Sequence, residues 1–165
     1  EKIREIILDV NNTEMTGITE ALLYAAARSQ HVEEKIIPAL EEGKIIICDR
    51  FVDSSIAYQG AARGIGAERI MEINREALHG IMPDMTLFFD LPPEKGILRK
   101  KNERELDRLE KEKMDFHVKV YEGYRALCSQ YPERIRPIDA DRSIEEVHAE
   151  VIEVIDGLLK GKYYE

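Results

Sequence analysis

A chain of 165 residues, 44% hydrophobic and 35% charged, is long enough for one domain with a proper core and has an ordinary globular balance. A net charge of −9 argues against nucleic-acid binding over a broad surface, but a phosphate ligand remains open wherever arginines converge. Two distant cysteines in no C-x-x-C spacing argue against a zinc site or a disulfide framework and suit a reducing cytoplasm, and no apolar run approaches a membrane span.

Ile3, Ile6 and Ile7 recur at i, i+3, i+4 and predict an opening amphipathic helix. NNTEMTG reads as a loop. A long helical pattern then runs through ALLYAAAR to IIPALEEG, with Pro38 inside it as a kink or break and Gly43 as its terminator. IIIC, residues 45–48, is apolar without alternation, as in a strand buried on both faces. Ala67 to Gly80 predicts a helix with Ile70, Ile73, Ala77 and Leu78 on one face. MTLFFDL is a second buried strand, and residues 94–101 are helical. KKNERELDRLEKEKMD is dense in charge and nearly free of apolar anchors. Asp115 is placed to cap the next helix, whose stripe is Phe116, Val120, Tyr124, Leu127 and Cys128. RIRPIDA is a third, shorter strand. Ser143 and Glu146 form a capping box, opening a last helix with Val147, Val151, Val154, Ile155 and Leu158 inside. Strands separated by helices predict an α/β fold, a parallel sheet with helices on both faces. Without internal repeat or linker, residues 1–165 read as one domain.

In an open parallel sheet, ligands bind beyond the carboxyl ends of the strands. Asp49 and Arg50 stand at such an end. An Asp there suits magnesium, directly or through water. The fork of Arg50 suits phosphate oxygens. The same pair reads equally well as an exposed salt bridge at a strand end.

LLYAAARSQH, CDRFVDSSIAYQG, LFFDLPPEKG, ELDRLE and PIDADRSIEEV, in this order and spacing, resemble the thymidylate kinase family of P-loop nucleoside monophosphate kinases over nearly the whole chain. The resemblance implies a three-layer P-loop kinase-like parallel sheet. It also implies magnesium-dependent transfer of the ATP γ-phosphoryl group to dTMP, giving dTDP, in a homodimer. It places Tyr24 on the thymine ring, where the bland reading is a helix core aromatic, and Arg28, one turn on, at the base carbonyl. Arg50 falls on the monophosphate and the transferring group, and Asp49 on the metal. Ser55 falls on the base edge, and Tyr58 against the sugar, where a 2′-hydroxyl would clash; Gln59 lies beside it as a further substrate contact. Ser54 reads as a helix-start polar residue.

By the same resemblance, residues 99–114 look like a lid, which closes over the phosphates. Arg99, Arg104 and Arg108 are its candidates to reach phosphate: Arg104 and Arg108 as catalytic cations, Arg99 with Arg142 on the ATP side. The rest of that charge run reads as a solvated helix face. The family's G-x-x-x-x-G-K-[ST] loop and its E-P-G-G loop are not among these residues. The expectation is a longer natural protein, the chain by itself lacking the strand between IIIC and TLFFDL. Two further readings stay open: a non-catalytic deoxynucleotide-binding module without an ATP-phosphate site, and a deoxynucleoside kinase.

Overall fold

The computed structural model describes residues 1–100 and 106–163. Helix α1 (Lys2–Leu8) buries Ile7 completely and leaves Ile6 half exposed. Helix α2 (Gly17–His31) starts at Thr16, whose Oγ1 accepts from the Thr19 amide at 3.3 Å, satisfying one of the orphan donors of the first turn. At His31 the helix widens into a π-helical turn, Val32–Ile36, and resumes as α3 (Ile37–Glu41). Pro38 explains the widening. It has no amide to donate, and its ring would strike the carbonyl four residues back, so the looser turn before it absorbs both effects. Gly43, at φ +73°, ends the helix as expected.

Helix α4 (Val52–Ser55) runs directly into a second π-helical stretch, Ile56–Ala62, followed by α5 (Ala67–Leu78). Helix α5 buries Ile70, Ala77 and Leu78, together with Asn74. Strand β1 (Thr86–Asp90) leads into α6 (Pro93–Lys100) and α7 (Met114–Gln130), and then β2 (Ile135–Asp139) pairs with β1 in parallel, Phe88 opposite Pro137. Helix α8 (Ile144–Tyr163) closes the described chain. Its capping box is formed: the Glu146 amide donates to Ser143 Oγ at 3.2 Å and the Ser143 amide to Glu146 Oε2 at 3.0 Å.

Four expectations are corrected. Strand β1 is half-buried rather than buried, with Phe89 54% exposed, because among the described residues β2 alone pairs with it. Residues 45–48 form no strand, and Ile45 and Ile47 are 67% and 92% exposed. A strand exists only where its amides and carbonyls find a ladder, and among the described residues the parallel sheet has two strands, neither of them beside this segment. Asp115 does not cap α7. Lys113 occupies that position, and Asp115 lies inside the first turn, where its charge still favours the helix dipole. The apolar stripe of α8 is half-buried rather than inside, because α8 packs on β2 alone among the neighbours it meets extensively.

The core lies between α2, α5, α7 and the sheet. Ala21, Ile56, Ile70, Leu127 and Ile135 meet there, with Phe88 stacked on Tyr124 at 4.9 Å. A second cluster joins Ala57, Leu109, Phe116 and Val120 to Tyr24 and Tyr58. Helix α7 lies so close to the second π-helical stretch that a Cβ on Gly123 would stand 2.9 Å from the Ala61 Cβ. Asp53, almost fully buried, takes both Nη atoms of Arg134 at 2.7 Å and the Thr86 hydroxyl at 2.8 Å, pinning α4 to the start of the sheet.

Candidate active site

A cavity of about 960 Å³ opens beyond the carboxyl end of β1, between α2, residues 48–59, the start of α6 and α7. Tyr24, Arg28, Asp49, Arg50, Ser55 and Tyr58 all line it, although they come from two separate segments of the chain. The α-helical spacing of α2 puts Tyr24 and Arg28 on one face.

Arg28 is buried. Its Nη1 donates to Asn74 Oδ1, and its Nη2 to Ser55 Oγ at 2.9 Å and to the Phe51 carbonyl at 3.2 Å. The guanidinium also lies over the Phe51 ring, 5.4 Å from its centre. Burial lowers its pKa to about 10, still well above neutral pH, so the cation persists in the cavity wall. Ser55 therefore helps to hold an arginine as well as facing the cavity.

Arg50 has φ +65°, a left-handed backbone that L-residues other than glycine rarely adopt. Its guanidinium lies over the Tyr58 ring at 5.2 Å. Tyr58 is wedged edge-on between Phe116 (6.1 Å) and Tyr124 (6.5 Å), which fixes its plane. Ser54 is more than a helix-start residue: its hydroxyl meets the Tyr124 hydroxyl at 2.6 Å on the cavity wall. Burial pushes the Tyr124 phenol up to about 12, and does the same for Tyr24, with the Glu20 charge adding to it. Both rings stay neutral.

Asp49 is exposed on the cavity wall, and among the described residues no hydrogen bond or ion pair takes up its carboxylate. No three metal-ligating side chains cluster among the described residues.

The other predicted residues are engaged by partners of their own or lie outside the cavity. Gln59 borders the cavity, but its Nε2 donates to Glu20 at 2.7 Å. Arg108 does not join the cavity. Its Nη2 meets Glu20 at 2.5 Å and its Nε donates to the Ile7 carbonyl at 2.8 Å, because a buried carboxylate outcompetes solvent for a nearby guanidinium. Arg104 lies outside the described residues. Arg99 donates to the Ala140 carbonyl at 3.2 Å, and Arg142 is engaged by Glu150 and Asp139, so these two meet at the loop after β2, away from the cavity.

Glu20 and Asn74 had not been singled out in the sequence. Glu20 is completely buried and gathers Gln59, Arg108 and Arg63 (Nη2 at 3.1 Å). Burial alone would raise its carboxyl, but these donors bring it below the ordinary carboxylate value. Its position, one turn before Tyr24 and two before Arg28, was the available signal. For Asn74, the signal was a polar residue one turn after Ile70, in the apolar stripe of α5.

A parallel strand pair with a cation-lined cavity beyond its carboxyl end defines an α/β protein of the kind that binds ligands at that edge. The family model described as thymidylate kinase matches residues 1–151. The chain is 54% identical over 153 residues to a thymidylate kinase of Clostridium novyi, covering 92% of this chain and 75% of that one. It is 52% identical over 165 residues to the thymidylate kinase of Oceanobacillus iheyensis, covering 98% and 73%, and 52% identical over 163 residues to that of Geobacillus thermodenitrificans, covering 98% and 72%. The chain belongs to the thymidylate kinase family.

Proposed function

We propose that this protein transfers the γ-phosphoryl group of ATP to dTMP, giving dTDP and ADP. The observation that carries this reading is the convergence of Tyr24, Arg28, Arg50, Ser55 and Tyr58 on one cavity. Tyr24 offers a ring face for the thymine, and the Arg28 guanidinium a donor for its carbonyl. Tyr58, held by two aromatic rings, stands against the sugar. Arg50, steadied on the same tyrosine, binds the acceptor phosphate and the group in flight. Phosphoryl transfer asks little covalent chemistry of the protein, so positioning and fixed positive charge carry the rate. Asp49 would hold magnesium, which would offset the negative charge of the phosphates. Residues 99–114 act as the lid, with Arg108 anchoring it on Glu20. The same reading carries the three-layer P-loop kinase architecture, a homodimer and a cytoplasmic setting. No helix among the described residues is long and apolar enough to cross a membrane.

The test is Arg50→Ala in the full-length protein, P-loop segment included, in a coupled assay of ADP release with dTMP and ATP. Turnover falls on the order of 10³-fold, the usual cost of removing such a cation, while dTMP binding measured by calorimetry is partly retained. Near-normal turnover overturns the role of Arg50. Phosphorylation of thymidine in preference to dTMP overturns the choice of substrate.

A further inference from the structure

Arg28 is a buried cation without a carboxylate at ion-pair distance among the described residues. Its partners are an amide oxygen, a hydroxyl and a backbone carbonyl, all uncharged. Of these, Asn74 is the only one contributed by α5, and it is completely buried. Its Nδ2 donates to the Ile70 carbonyl at 2.8 Å, one turn back in the same helix. That bond fixes which way the carboxamide faces: nitrogen to the helix backbone, oxygen to Arg28. An asparagine supplies a donor on one side and an uncharged acceptor on the other at this reach. An aspartate would pair with the guanidinium and cancel its charge. An apolar residue would leave a buried N–H without an acceptor, which is costly.

We propose that Asn74 is a positioning residue for the nucleobase contact: its Oδ1 locks the Arg28 guanidinium onto the cavity wall while leaving that charge uncompensated for the incoming ligand. The inference rests on the reading of Arg28 as the base-contacting arginine. Asn74 does not line the cavity, so it acts through Arg28 alone.

The experiment is a double-mutant cycle on the full chain, with Asn74→Ala, Arg28→Met and the pair, measuring the KM for dTMP, the KM for ATP and kcat. Thermal unfolding is followed alongside, and Asn74→Ser, a smaller lesion, replaces Asn74→Ala if the latter does not fold. Asn74→Ala raises the KM for dTMP about tenfold, as expected for a lost or misaligned hydrogen bond to a charged group, with the KM for ATP unchanged. On the Arg28→Met background the same substitution adds nothing to the KM for dTMP. If Asn74→Ala leaves the KM for dTMP unchanged, or acts in full on the Arg28→Met background, the positioning role is overturned while the reading of Arg28 stands. If Arg28→Met itself keeps the wild-type KM for dTMP, the reading of Arg28 falls and this inference falls with it.

Discussion

Arg50 holds a backbone conformation that costs a non-glycine residue about 1–2 kcal/mol. Its side chain rests on Tyr58, so backbone strain and ring stacking act together to aim one guanidinium. The phenol ring has a second task in the proposed reaction, excluding a 2′-hydroxyl from the sugar pocket. Tyr58→Ala therefore raises the ratio of kcat/KM for UMP over that for dTMP by about tenfold, in line with the one-to-few-kcal/mol reach of steric discrimination; an unchanged ratio in competition kinetics removes Tyr58 from sugar selection. The residues of this wall were legible in the sequence because LLYAAARSQH and CDRFVDSSIAYQG resemble motifs of the thymidylate kinase family, and the resemblance implied their place. Glu20 and Asn74 were not, since a lone Glu or Asn on a helix looks the same whether it faces water or a buried arginine. Only the neighbours brought by the fold, Arg63 and Arg108 for one and Arg28 for the other, tell the two cases apart.

Among the elements, most helices could be read from periodicity, since Ile7, Ile70, Phe116, Val120 and Leu127 are all buried at predicted stripe positions. The two π-helical stretches could not. They depend on hydrogen bonds shifting by one residue, which leaves the apolar pattern nearly unchanged. The IIIC segment failed for a different reason: strand propensity is satisfied only by a partner, and none of the described strands reaches it. The second π-helical stretch carries Tyr58 and Gln59 and packs on α7 at Gly123, where even one methyl group collides with Ala61 and the Ala57 backbone. Gly123→Ala gains helix propensity but forces the two elements apart, for a net loss of about 1–3 kcal/mol. Urea unfolding checks this. Equal or greater stability in the variant would mean that α7 yields freely, against the close approach described.

At the scale of the whole molecule, the Glu20 network links α2, the π-helical stretch and the segment after α6 through one carboxylate. Its pKa in the folded protein lies below the ordinary 4.5. Ionised Glu20 therefore stabilises the fold fully above that value, and the contribution is lost as pH falls through the lower folded one. Glu20→Gln leaves Arg108 without a carboxylate among the described residues, while Arg63 keeps Glu112 at 2.6 Å, and is less stable at neutral pH by about 3 kcal/mol. The gap between wild type and variant narrows in urea titrations as pH drops below about 4.5; a gap constant with pH would show that the charge of Glu20 is not what holds the network. The Asp53–Arg134 clasp has a consequence in time rather than in energy. It joins groups 81 residues apart and sits beside the parallel pairing of β1 and β2, which itself waits on α6 and α7. Contacts so distant along the chain form only after the intervening loop entropy has been overcome. The chain that leads into Arg50 and Tyr58 is thus held by a contact that closes more slowly than the local helices on either side of it, so this wall of the cavity is expected to settle after those helices do.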